Sequence, residues 1–345
     1  MSQPLESAAS SGRPAATEIG AFELRHGILE LPGRLPLRHG GFLEGVHVAW
    51  SLAGNRGAPL VVALGGISAH RHVFSSGGTQ GWWDALVGSG RALDSRNYRI
   101  LGFDYLGGSG ATTGPNGARF PSVDSHDQAE ILTKLLDHLG IAKLHAIVGA
   151  SYGGMVALAF AEQAPARVAR LLTIGAADRT HPMATAWRCV QRRVLRSAIE
   201  RGEGAQGVAL ARALAMATYR SPDEFAERFR APPHNDNGTY VFPVEDYLFA
   251  RGAEYATRYR PEAFLCLSES IDLHHVDAER IRVPTTIVAV REDQIVPLAD
   301  AHALGARLGA YGRLVEISSR YGHDAFLKEA AQLGPIFRST LESQP

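Results

Sequence analysis

The chain has 345 residues, 45% hydrophobic and 20% charged, enough for one large domain or two modest ones with an ample core. Lys+Arg and Asp+Glu both number 35, so no basic excess draws the chain to nucleic acid or to an anionic membrane surface. Two cysteines, Cys189 and Cys266, make no disulfide framework and suit a reducing cytoplasm. No apolar run is long enough for a membrane span.

Residues 1–20 are rich in Ser, Ala and Pro and lack the apolar stretch of a signal peptide, so they read as a disordered tail. Residues 34–52 alternate apolar and polar around turn glycines, which predicts two early antiparallel strands. Short apolar runs follow at 59–64, 98–103, 144–148, 170–174, 285–290 and 313–317. Continuous Val/Ile/Leu runs mean strands buried on both faces, and hence a largely parallel sheet. Helical patterns lie between them. One runs from Ser125, read as its N-cap, to Gly140, read as the residue just past its end. Another begins at Ser151 and stops at Pro165. Strand and helix in alternation predict a doubly wound α/β sheet. Between 176 and 278 the alternation ceases. This stretch reads as a helical insertion, with a polar loop at 231–240, riding on a core made of 21–175 and 279–345.

The stretch Gly149-Ala150-Ser151-Tyr152-Gly153 lies between a predicted strand and a predicted helix and fits G-x-S-x-G. A nucleophilic serine needs a sharp, strained turn that lifts its hydroxyl clear of the sheet, and small neighbours that let strand and helix approach. It also needs a base and an orienting acid, which in this architecture follow later strands in the order acid, then histidine. The run 285–290 ends in Glu292 and Asp293; Asp293 is the better placed and Glu292 the fallback. The run 313–317 is followed by His323. His70, His72, His274 and His275 are less well placed. With no H-E-x-x-H or Cys/His cluster, no metal site is expected. An oxyanion hole would take one amide from Tyr152 and another from the loop holding Gly65 and Gly66.

Several segments along most of the chain resemble the homoserine O-acyltransferase family of the α/β-hydrolase superfamily. These are GWWDALVGSGRALDS at 81–95, LGGSGATTGP at 106–115, GASYGGMVAL at 149–158, AWRCVQRRVL at 186–195 and GHDAFL at 322–327. The resemblance implies an α/β-hydrolase fold with an inserted helical lid, and a ping-pong transfer from a CoA thioester to the hydroxyl of L-homoserine in methionine synthesis. Acyl-CoA would be a co-substrate, no cofactor would be bound, and the lid helices would form a homodimer. It places the acceptor's carboxylate at Arg192 and its ammonium at Asp324. The sequence departs from the family pattern at Asp104-Tyr105-Leu106 and at Ala111-Thr112-Thr113, and the chain is short between 115 and 140. The donor stays open between acetyl and succinyl: Arg291 could meet a second carboxylate, whereas apolar Ile295 suits acetyl. A serine O-acyltransferase or a plain serine esterase would share the same catalytic residues.

Overall fold

The computed structural model describes residues 21–117 and 120–343. The stretch read as a disordered tail lies outside them. An eight-stranded sheet is formed by β1 (Phe22–Pro36), β2 (Phe42–Asn55), β3 (Leu60–Leu64), β6 (Arg99–Phe103), β7 (Ala146–Ala150), β8 (Leu171–Ile174), β11 (Thr285–Val290) and β12 (Gly312–Ile317). Its order is β1-β2-β6-β3-β7-β8-β11-β12. The first two strands pair antiparallel, β2 also runs antiparallel to β6, and every later pairing is parallel. The short β4 (Val87–Gly88) and β5 (Leu93–Asp94) form a separate ladder.

Strands β3, β7, β8 and β11 are buried along their full length, as their unbroken Val/Ile/Leu runs require when helices cover both faces. On one face lie α1 (Ser125–His138), α2 (Tyr152–Gln163) and α8 (Leu298–Leu308). On the other lie α9 (Ala325–Lys328), α10 (Ala330–Glu342) and the segment around Trp83. The N-cap of α1 is Asp124 rather than Ser125. The Asp124 side chain accepts from the amides of His126 and Asp127, while the Asp127 side chain accepts from the Asp124 amide. An acidic residue at both ends of the box outcompetes the neighbouring serine for the free amides. Gly140, at φ 68°, ends the helix.

Five helices follow β8: α3 (Pro182–Glu200), α4 (Gly204–Tyr219), α5 (Pro222–Arg228), α6 (Pro243–Ala256) and α7 (Pro261–Leu273). They close a small core of their own around Leu195, Val208, Tyr255 and Phe264. The stretch read as a polar loop instead contains a hairpin, β9 (His234–Asp236) with β10 (Thr239–Val241). Its two-residue turn is Asn237-Gly238, both at positive φ, the pairing that favours tight hairpins.

Phe337 of α10 is fully buried, with its ring 5.5 Å from that of Trp83. Phe337→Ala is expected to lower stability by about 3–5 kcal/mol, read from urea unfolding midpoints at unchanged slope.

Candidate active site

Ser151 follows β7 directly and stands at the N-terminus of α2 with φ 53° and ψ −122°. Among the described residues only Ser151 and Asn237 are non-glycines at positive φ. Such a backbone costs on the order of 1–3 kcal/mol and persists only where the surroundings dictate it. The surroundings here are two glycines. A Cβ on Gly149 would lie 2.2 Å from the Gly153 carbonyl oxygen, and one on Gly153 would lie 2.5 Å from the backbone of Leu64. Strand and helix therefore meet closer than any side chain permits.

His323, in the loop after β12, places Nε2 2.9 Å from Ser151 Oγ and Nδ1 2.7 Å from Asp293 Oδ2. Asp293 follows β11, and its other oxygen accepts the amides of Ile295 and Val296 at 2.8 and 3.0 Å. Both carboxylate and ring are buried. Burial works against the charged ring, but the charge and hydrogen bond of Asp293 prevail, so His323 titrates above the ordinary histidine value. Glu292 is turned away and accepts the Ser319 amide at 2.7 Å. Gly175, at φ 56°, leaves room beside the pair: its Cβ would sit 3.3 Å from Asp293 Oδ2.

The amides of Tyr152 and Gly66 have no acceptor among the described residues, and Gly66 faces Ser151, where a Cβ would lie 4.0 Å from Oγ. Gly65, beside it, also supports the elbow through its carbonyl, which accepts the Gly153 amide at 2.9 Å and the Tyr105 hydroxyl at 2.7 Å. Asp104 holds the same loop in place, accepting from the Arg71 amide and guanidinium at 2.7 and 2.6 Å.

A second serine–histidine contact, Ser125 Oγ to His274 Nδ1 at 2.6 Å, has none of these features. The other nitrogen of His274 meets the Ala177 carbonyl and no carboxylate, and burial pushes its pKa down to about 4. His70 and His72 also lie below the ordinary value through burial. Among the described residues no group of three or more His, Cys, Asp or Glu could hold a metal ion. None of their helices is long and apolar enough to cross a membrane.

The cavity above Ser151 is roofed by the inserted helices and lined in part by Met155, Gln191, Arg212, Tyr219, Ile295 and His323. Asp324 lines its neighbouring compartment, with Oδ2 accepting from Arg220 Nε at 3.0 Å. Arg192 does not line either compartment. Its guanidinium is taken up by Asp272 at 2.6 Å and by the carbonyl and hydroxyl of Ser268 at 2.9 and 3.1 Å. Nor does Arg291, which is exposed and pairs with Glu316 at 3.1 Å. Arg188 of α3 faces the cavity, and so does Arg212 of α4. The Arg212 guanidinium stacks on the rings of Tyr255 and Tyr219, 4.7 and 5.2 Å from their centroids, and makes no hydrogen bond or ion pair among the described residues. The sequence offered no local signal for it: GVALARALAMATYR reads as any amphipathic helix, and only packing shows that this arginine has no partner.

A buried Ser–His–Asp chain at the C-terminal edge of a mostly parallel sheet, beneath inserted helices, is the architecture of an α/β-hydrolase. The model of the alpha/beta hydrolase fold family matches residues 59–330. A homoserine O-succinyltransferase from Xanthomonas campestris pv. campestris is 46% identical over 316 residues, covering 91% of this chain and 84% of that protein. A homoserine O-acetyltransferase from Thermus thermophilus is 35% identical over 287 residues, covering 76% and 73%. At the level of fold, a homoserine O-acetyltransferase structure from Bacillus anthracis superposes with TM-score 0.84 at 18% identity, covering 94% of this chain and 98% of the other. The esterase E22 does so with 0.83 at 19%, covering 93% and 100%. The chain belongs to the homoserine O-acyltransferases of the α/β-hydrolase fold family.

The His323 ring titration, followed by NMR, is expected to have its midpoint above pH 6.5. Asp293→Asn removes the two largest raising influences and leaves the burial and the weaker pull of Asp324, so the midpoint is expected to fall in that variant.

Proposed function

We propose that the chain transfers an acyl group from acyl-CoA to the side-chain hydroxyl of L-homoserine, in methionine biosynthesis, through an acyl-Ser151 intermediate. The observation that carries this reading beyond simple hydrolysis is the unpartnered guanidinium of Arg212 in the cavity that Ser151 and His323 also line. Asp324 lines one of the same compartments, and its negative charge is felt at Arg212. A free cation and a carboxylate with one uncommitted oxygen match the two ends of a zwitterionic amino acid. Attack by water needs neither. Arg212 thus takes the acceptor carboxylate, Asp324 takes its ammonium, and Arg192 braces α3 against α7.

Ser151 Oγ attacks the thioester carbonyl as its proton passes to His323 Nε2, and Asp293 stabilises the imidazolium. The developing oxyanion is met by the amide of Tyr152 and by the Gly65–Gly66 segment, of which Gly66 faces the hydroxyl. The C–S bond breaks, the thiolate takes the proton from His323, and CoA leaves. The homoserine hydroxyl then gives its proton to His323 and attacks the acyl carbon. The bond to Ser151 Oγ breaks, and the serine recovers the proton. No bound cofactor enters these steps, and positioning the acceptor in a roofed cavity lets it outcompete water. An enzyme of this kind would draw on the cytoplasmic acyl-CoA pool. Met183 and Val190, exposed on α3, support a homodimer through the inserted helices, which gel filtration tests.

Thiol release from acyl-CoA is expected to depend on homoserine; release that ignores homoserine would make the chain a hydrolase. Ser151→Ala is expected to lower kcat by at least about 10⁴-fold. Arg212→Met is expected to raise the KM for homoserine by about 30-fold or more, the loss of roughly 2 kcal/mol from one charge-assisted contact. Because His323 must be neutral to act as base, kcat/KM is expected to fall below a midpoint above pH 6.5.

A further inference from the structure

Behind the acceptor site the cavity wall carries a charge imbalance. Arg188 and Arg192 of α3, 8% and 7% exposed, share one carboxylate, that of Asp272 on α7. Arg192 Nη1 donates to Oδ2 at 2.6 Å, while Arg188 Nε and the Thr185 hydroxyl donate to Oδ1 at 2.9 and 2.7 Å. Two buried guanidiniums on one carboxylate leave a positive charge uncompensated, which is costly away from water unless an anion joins it. The surplus is presented to the cavity by Arg188 and not by Arg192. Arg188 lines the compartment that holds Ser151, its Nη1 has no partner among the described residues, and its Nη2 makes no aligned hydrogen bond. One turn along α3, buried Gln191 lines the same compartment, and no described residue engages its amide. The apolar side chains of Trp187, Met155 and Val296 line the same compartment. A small compartment that combines apolar side chains with a cation and an amide is complementary to an acyl chain that ends in a carboxylate.

We propose that Arg188, with Gln191, binds the terminal carboxylate of a dicarboxylic acyl chain, so that the donor is a succinyl-class CoA thioester rather than acetyl-CoA. This rests on the acyl-transfer reading above. It also gives each cavity-facing arginine one ligand carboxylate: the acceptor's for Arg212 and the acyl group's for Arg188. Arg291, on the surface, has no part in donor choice. The acyl carbon still passes from sulfur to Ser151 Oγ and on to the acceptor hydroxyl, with the distal carboxylate held ionised throughout.

The test compares kcat/KM for succinyl-CoA and butyryl-CoA, a neutral chain of the same length, at saturating homoserine. The wild type is expected to favour succinyl by about 100-fold or more, because a site built for a charged hydrogen-bonding group rejects the apolar isostere. Arg188→Met is expected to cut that ratio about 100-fold and Gln191→Leu about 10-fold. Equal losses on both donors, or a wild type that favours butyryl- or acetyl-CoA, would overturn the assignment. If Arg188→Met does not fold, the ratio in Gln191→Leu decides alone. Absence of homoserine-dependent thiol release from every donor defeats the acyl-transfer reading itself, whereas transfer with an unaltered ratio in the variants defeats only the role of Arg188 and Gln191.

Discussion

Ser151 is held in a backbone conformation that an isolated residue avoids, and much of the molecule serves to keep it there. Gly149 and Gly153 let β7 and α2 approach to within contact of one another and of Leu64 at the end of β3. The Ser151 amide donates to the Ile174 carbonyl of β8 at 2.8 Å, so three neighbouring strands share the load. The strain is local and of order a few kcal/mol, while the sheet behind it is continuous buried hydrocarbon. The result is a hydroxyl in line with His323, with the free amide of Tyr152 at the α2 N-terminus beside it.

The histidine is secured from a distant part of the chain. Trp83 is buried, and its indole N–H donates to the Phe326 carbonyl at 2.8 Å, three residues beyond His323. Trp83 stacks on Trp82 at 4.7 Å, and Trp82 lines the compartment beside Asp324. The adjacent Asp84 accepts from the Ser75 amide and hydroxyl, which fastens the preceding loop. The two segments GWWD and GHDAFL are therefore one structural unit: the indole hydrogen bond fixes the loop on which the base rides. The departure at Ala111-Thr112-Thr113 is also put to use, since the hydroxyls of Thr112 and Thr113 accept the Ala49 and His47 amides of β2 at 2.9 Å.

Electrostatics divides the inserted helices into two kinds of arginine. Arg192 and Arg220 are matched to carboxylates and hold elements together, while Arg212 and the free end of Arg188 are left facing the cavity. A chain of zero net charge can thus still present a locally cationic chamber to anionic ligands, because its balancing carboxylates are placed elsewhere.

By itself, the sequence determined the sheet and the reacting centre. Apolar runs bounded by turns made β3, β7, β8 and β11 legible to within two residues, because strands buried on both faces must be continuously apolar. Ser151, Asp293 and His323 were legible because each follows the end of a strand, and Asp293, just before the turn to Val296-Pro297, is the better placed of the two acids. The extent of β1 back to Phe22, the Asn237-Gly238 hairpin and the true cap of α1 were missed, each a local competition that composition does not resolve. What only the tertiary structure decided is which arginines face the cavity. Arg188, Arg192 and Arg212 are equivalent as letters on helices; whether a guanidinium is neutralised depends on Asp272 of α7, some 80 residues away from Arg192, coming to lie against α3.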